Sequence, residues 1–540
     1  MSNNNEGVVM KNKWLALFFL ALAVSIIVID GTIVNVAIPV IMKDLKLNFT
    51  QVEWVTTIYA LVFSALLITS GRIADSVGRK KMLITGIIVF VAGSIFASLS
   101  RGIEMMLFAR FIQGIGGAIV LPTTLSAVNS TFFGKDRIIA FAVWGSVISG
   151  MAALGPLLGG YITTYFSWQW IFWINLPIGI VILVGSLIYV PETYGESLNK
   201  DFDFGGFLLS SISLAAIVYG LIEGKNFGWW YAKNSADAIF GISRIPIILG
   251  IGIVAMILFI LLEKYLMRKG KSVLLDLSLF NLKSFSLGNI IICLVAIGEF
   301  GLLFVLPLFL QNIIGYTSLQ AGAILAAMGV GAFVSGGLAS EIGRRTSPVI
   351  VSSIGLFLES AGLAGFYFNI SPTSSTEMIV FWLVVYGIGL GMASAQLTST
   401  ILVEVPSNKS GQGSAMQSTV RQIGSALGIA IIGTILVGFL NQDISGSLDN
   451  MKLPPKMQTA IETSVIDSAG ASVSSLKAQN GMLRMFPDKQ KYDIITNIND
   501  GFTKSSVKTI GVSSLVLFSG FVLTLALPKN VHKKEERAGL

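Results

Sequence analysis

One histidine, one cysteine and little charge mark this sequence by what they rule out. Cys293 has no second cysteine to pair with, so no intrachain disulfide can form. His532 stands alone near the end of the chain, and no His/Cys grouping has metal-ligand spacing. No Walker A sequence is present, which argues against direct drive by ATP and against an enzyme of that kind. Asp, Glu, Lys and Arg make up 12% of the 540 residues, against about 25% in soluble domains. The net charge is +8, yet no basic cluster interleaves with aromatics, so nucleic acid is not an expected partner.

What the chain does have is apolar length. Hydrophobic residues reach 53% and the mean hydropathy is +0.77. Apolar runs of about 20 residues, enough to cross a bilayer as a helix, recur throughout. They predict fourteen spans: 14–41, 54–72, 82–99, 105–131, 138–163, 171–190, 204–222, 245–266, 285–312, 319–339, 348–368, 378–402, 411–439 and 508–528. Lys11 and Lys13 before the first run give the N-terminus the look of a signal peptide. The run continues to about residue 41 without a small-residue cleavage site, so it reads as a retained first helix.

Charge tests this count. With the N-terminus inside, the inner loops hold Arg72, Arg79, Lys80, Lys81, Lys264, Arg268, Lys269, Lys271, Arg344 and Arg345, among others. The short outer loops hold only Lys43, Lys46, Arg101, Lys225, Lys233 and Arg244. That asymmetry fits a multi-pass protein of the cytoplasmic membrane with both termini cytoplasmic. The segment 440–507 then lies outside, as a long loop that reads equally well as a helical hairpin or as partly disordered chain.

The segment GRIADSVGRK, residues 71–80, is echoed by GGLASEIGRR, residues 336–345. Both follow a glycine-rich span and both fall on the inner side. Short inner loops favour glycine and basic residues anyway, but the shared spacing suggests duplication. The expected organisation is an N-terminal six-helix bundle (1–203), two extra helices (204–270) and a C-terminal six-helix bundle (271–540). In duplicated transporters the substrate site lies between the repeats near the midplane.

Ionisable residues inside the spans are the candidate site. Asp30 sits in the middle of the first, where a charge costs roughly 2.5–3.5 kcal/mol on insertion scales. It must face protein or a water-filled cavity, as a proton-binding group or as a structural hydrogen-bond acceptor. Arg110 lies in the fourth span with Gln113 one turn on, and is expected beside Asp30. The alternative is that it bonds only backbone carbonyls. Glu299 lies midway through the ninth span and Glu359 within the eleventh, while Arg421 falls within the thirteenth. Gly155, Pro156 and Gly159 give the fifth span a bend and a small-residue face. Asp75 with Arg79 and Lys80 makes a compact charged group at a helix end, in a segment that also holds Gly71 and Gly78.

Taken in order, these motifs identify a family resemblance. GRIADSVGRKK, RFIQGIGGA (110–118) and GMAALGPLLGG (150–160) resemble the loop, fourth-helix and fifth-helix motifs of the major facilitator superfamily. VIDGTIVNVAIP (28–39), WQWIFWINLPIG (168–179), LDLSLFNLKSFSLGN (275–289) and GSAMQSTVRQIGSALG (413–428) are similar to its fourteen-helix drug:proton antiporter branch. Gln169 departs from that pattern, which commonly has Arg there, as do Ser76 and Ser340. The resemblance implies an all-α membrane protein of two six-helix bundles plus two helices. It implies proton-coupled export of hydrophobic, often cationic, compounds by a functional monomer, with membrane lipids as its other partners. It needs no cofactor, protons being the coupling ion. The alternative substrate is an endogenous lipid, siderophore or metabolite. It also implies a cytoplasmic gate at Asp75, Arg79, Gly71 and Gly78, an antiport motif at Gly155, Pro156 and Gly159, and a cavity-lining helix around Glu299. Glu359 would lie on a peripheral helix, in a structural or lipid-interface role.

Overall fold

An apolar stretch in lipid must satisfy its own backbone polar groups, so it folds as helix. The computed structural model describes residues 13–132, 134–194, 203–233, 238–239, 242–271, 273–405, 410–449, 451, 453–470, 472–477, 483 and 486–528. Both tails, with His532, lie outside the described residues. Among the described residues fourteen long helices form, one on each expected span. They are α1 (Lys13–Asp44), α2 (Phe49–Val77), α3 (Arg79–Ser98), α4 (Ile103–Thr131), α5 (Gly134–Tyr165), α6 (Trp170–Tyr189), α7 (Phe204–Phe227), α8 (Arg244–Arg268), α9 (Lys283–Leu308), α10 (Ser318–Arg345), α11 (Pro348–Asn369), α12 (Thr376–Leu402) and α13 (Ser410–Asp449). Two short helices follow, α14 (Pro455–Asp467) and α15 (Ser472–Lys477), before the fourteenth long one, α16 (Asp488–Thr524). Thirteen of the fourteen carry an apolar stretch long enough to cross a membrane, and α5, with 32 residues, has the length.

The packing repeats. In the first half α1 packs on α5 and α6, and α4 on α2 and α3. In the second, α9 packs on α13 and α16, and α12 on α10 and α11. The corresponding helices α2 and α10 even begin alike. Asn48 and Gln51 form a reciprocal capping box at 2.9 Å each way, and Thr317 and Gln320 form another at 2.9 and 3.2 Å. The halves meet where α5 lies along α10 and α2 along α13. The extra pair α7–α8 sits on the second seam. Trp54 on α2 donates to Glu223 on α7 at 2.8 Å, and Thr434 on α13 donates to the Leu221 carbonyl at 3.0 Å.

Of the two readings of segment 440–507, its described residues favour the helical one. α13 runs on to Asp449 and α16 starts at Asp488, with α14 and α15 between them. Its charges hid the pattern from a hydropathy reading, but Leu440, Ile444 and Leu448 recur on one face, as do Ile494, Ile498 and Phe502. These faces, with Leu453, Ile461 and Val465, join one apolar cluster with Ile38, Ile41, Met42 and Trp168 of the first half. Asp443 holds the two extensions together, accepting from Lys508 at 2.7 Å and Ser505 at 3.0 Å. This end of the molecule is the cap end.

Gly78, at φ +118°, breaks the chain between α2 and α3 at the opposite end. There the Glu192 carboxylate accepts from the backbone N–H groups of Lys80 at 2.9 Å and Lys81 at 3.3 Å, capping α3 from the far end of the α6 chain. Glu192→Ala is expected to cost about 0.5–2 kcal/mol, the range for a lost N-cap. A lowered thermal midpoint in detergent checks it, and an unchanged midpoint contradicts the capping role.

Candidate functional site

Asp30 is fully buried at the centre of α1, and its oxygens turn into the first bundle. Arg110 on α4 donates from Nη1 to Oδ2 at 2.7 Å. Gln113, one turn on, donates to Oδ1 at 3.0 Å, and Asn175 on α6 donates to the same oxygen at 3.1 Å. Ser94 on α3 accepts from both amides, at 2.9 and 3.1 Å. The Arg110 guanidinium lies 4.3 Å from the ring centre of Tyr59 on α2, and its Nε donates to the Val55 carbonyl at 3.3 Å. Five helices therefore converge on one carboxylate. A buried ion pair is tolerated only when its remaining lone pairs and protons are also bonded, and this one is served by neutral donors from two helices.

Close packing allows that convergence. Gly93 and Gly116 let α3 and α4 touch, since a Cβ at Gly116 would meet the Phe90 backbone at 2.5–2.7 Å. Gly155 and Gly159 of α5 lie against Thr32 and Ile33, half a turn beyond Asp30, and a Cβ at Gly159 would stand 2.7 Å from the Ile33 carbonyl. Pro156 lies inside α5, and its carbonyl abuts Gly322 of α10. Gly160, one residue on, abuts the Ser318 backbone. The small-residue face of α5 thus joins α1 to the second half. Beside it the Leu319 N–H donates to Thr164 at 3.0 Å, and Gln311 donates to the Val36 carbonyl at 2.8 Å.

The second half holds a smaller charged site. Arg421 on α13 donates to Glu299 on α9 at 2.9 and 3.3 Å. The Arg421 side chain is 37% exposed, so open space reaches this pair, unlike the Asp30 pair. Glu359 does not lie at a lipid interface. Its side chain is fully buried, because α11 is covered by α12 on one side and α16 on the other. At the end opposite the cap, Arg79 bonds Asp75 through Nε at 2.9 Å and Nη2 at 2.8 Å. Gly71, just before them, packs on Pro122 of α4. In the second half Arg345 pairs with Glu341 at 2.8 Å, also four residues apart, so the charged group recurs although Ser340 holds the Asp75 position.

The sequence reading missed Asn175, Ser94 and Tyr59. Asn175 left a trace, as the lone amide in IFWINLPIG. Ser94 and Tyr59 left none. Glu53 was also missed. It is fully buried on α2, and a Cβ at Gly433 of α13 would meet its carboxylate, so it lies on the seam between the halves. Among the described residues no group of His, Cys, Asp and Glu is arranged to hold a metal.

Known proteins match this chain along most of its length. A profile of the Major Facilitator Superfamily matches residues 20–429. Multidrug resistance protein Stp of Mycobacterium tuberculosis is 30% identical over 85% of this chain and 82% of its own length. Riboflavin transporter RibZ of Clostridioides difficile is 29% identical over 79% of this chain and 88% of its own. Among solved structures, a bacterial homologue of the human lysosomal transporter Spinster superposes with a TM-score of 0.62 at 14% identity. That likeness covers 96% of this chain and 98% of the other.

Proposed function

The chain belongs to the Major Facilitator Superfamily, and from that premise we propose that it is a proton-coupled antiporter that exports hydrophobic, often cationic, compounds across the cytoplasmic membrane. The observation that carries the reading is the buried Asp30–Arg110 pair with its shell of Gln113, Asn175 and Ser94. The likeness to a protein named for multidrug resistance supports the substrate class.

The cycle follows from the electrostatics of that shell. While Asp30 is ionised, Arg110 holds α4 to α1. Proton uptake neutralises the carboxylate, weakens the charge-assisted bond and frees the guanidinium for other acceptors. Substrate and proton therefore favour different states of one site, and each displaces the other by its differential affinity. Segments 1–203 and 271–540 rock as units about the α5·α10 and α2·α13 seams, and 204–270 rides on the second. Glu299 with Arg421, at the open site, meets cationic substrate. Asp75 with Arg79, beside Gly71 and Gly78, closes the cytoplasmic end. Protons are the only small cofactor required, lipid surrounds a working monomer, and both termini lie in the cytoplasm.

The test is the purified protein in proteoliposomes with an imposed pH gradient. Counterflow of protons and a cationic dye supports the reading, and its absence removes it. A second reading, transport of a single metabolite, is favoured by the likeness to a protein named as a riboflavin transporter. Flavin movement without dye movement in the same vesicles would select it.

A further inference from the structure

Glu359 takes no part in the cycle above, yet it is the most isolated carboxylate among those deep in the spans. It is 0% exposed, and neither side-chain oxygen has a hydrogen-bond partner among the described residues. The Tyr386 hydroxyl on the facing helix α12 is in the same condition. Nothing about the backbone leaves room for relief. A Cβ at Gly389 would collide with the Glu359 amide, and one at Gly362 would meet the Tyr386 backbone at 2.6 Å, so α11 and α12 touch along this line. On the other side Ser360 and Ser514 exchange bonds at 2.8 and 3.1 Å, fixing α11 to α16.

The charged groups that face Glu359 are few. Tyr386 comes from α12, and electrostatic reach extends to Glu299 on α9 and Arg421 on α13. On α16 Ser513 and Ser514 are buried, Ser514 bonding Ser360 next to Glu359, and Lys508 is engaged by Asp443. α10 carries ionisable residues only at its Glu341–Arg345 end. One guanidinium thus serves two acids, and it bonds Glu299. A buried carboxylate with no partner is far costlier charged than neutral, and the negative charge on Glu299 raises that cost.

We propose that Glu359 is a proton-binding site of the second half, distinct from Asp30, which holds its proton while Arg421 is paired with Glu299 and yields it when that pair opens. The proposal rests on the proton-coupled reading and adds a second proton to each cycle. When substrate displaces Arg421 from Glu299, the freed guanidinium is the counter-charge that lets Glu359 ionise. The proton leaves by the open space that already reaches Arg421.

The experiment uses the full chain in proteoliposomes with the membrane potential clamped to zero and ethidium as the probe. The logarithm of its steady accumulation ratio is plotted against the imposed pH difference. Each coupled proton adds a factor of ten per pH unit, so the parent is expected to give a slope of about 2 and Glu359→Gln a slope of about 1. Gln replaces a neutral acid with a neutral amide of the same shape, so export persists with weaker coupling. Glu359→Asp keeps the carboxyl and the slope of the parent. An equal slope in parent and Glu359→Gln overturns the inference while leaving the exporter intact. A slope of zero in the parent removes the proton-coupled reading itself. Should Glu359→Gln be inactive, infrared spectra in nanodiscs decide. A protonated carboxyl stretch present in the parent and lost in the variant upholds the site, and a stretch unchanged between them overturns it.

Discussion

Asp30→Asn is expected to take one proton out of the accumulation that a pH gradient drives, lowering the slope from about 2 to about 1, the share that Glu359 supplies. An amide neither takes up nor releases a proton over the working range, so the factor of ten that each coupled proton contributes per pH unit falls to one for the proton carried here. The substitution also aims an amide at the 2.7 Å contact with Arg110. Stranding that guanidinium, 2% exposed, costs about 3–5 kcal/mol, the range for a buried pair that loses one partner. Poor yield would then imitate a lost function. The double variant Asp30→Asn, Arg110→Gln removes the stranded charge and is expected to recover stability without recovering the Asp30 proton's share of the slope. Asp30→Glu retains the acid and a part of the coupling. Substrate accumulation that follows the pH gradient with the parent's full slope in the double variant would place the proton elsewhere.

Gly160→Val is expected to cut turnover by holding the cap end open. A Cβ at this position meets the backbone of Ser318 and Leu319 on α10, and neither can swing aside as a side chain does. Overpacking of this kind costs typically about 1–3 kcal/mol, and here it falls only on the conformation in which α5 and α10 touch. As a bias between two states that is roughly 5- to 150-fold. Proximity at the Leu319–Thr164 contact, 3.0 Å in this conformation, reports the population. With Cys293 replaced by Ser, a cysteine pair introduced at 164 and 319 is expected to cross-link readily in the parent background and slowly with Gly160→Val. Equal rates, with turnover unimpaired, would show that the contact does not govern the cycle.

The fourteen helices were legible because lipid allows an apolar run of that length few other folds, and because loop charge checked the count. The repeat was legible in GRIADSVGRK and GGLASEIGRR, and the capping boxes at Asn48 and Thr317 are a second copy of the same message. Asp30 and Arg110 could be paired from sequence because each is costly in lipid without the other. Asn175, Ser94 and Tyr59 could not be placed, since a neutral polar side chain costs little in a helix and gives no sign of which way it points. The helices inside 440–507 were legible only as one of two readings, because their outer face is charged and only one face is apolar. Glu359 was assigned to the periphery from the expected place of its helix, and α16, which packs on that helix, lies more than a hundred residues further along the chain.

The central claim is that the Asp30 carboxylate exchanges a proton against substrate. It is tested most directly by adding a cationic dye to the purified transporter in weakly buffered solution and recording protons released on binding. The parent is expected to release protons in proportion to dye bound, and Asp30→Asn, Arg110→Gln to release fewer by one per site. Equal release from both proteins, or none from the parent while dye still binds, would contradict it.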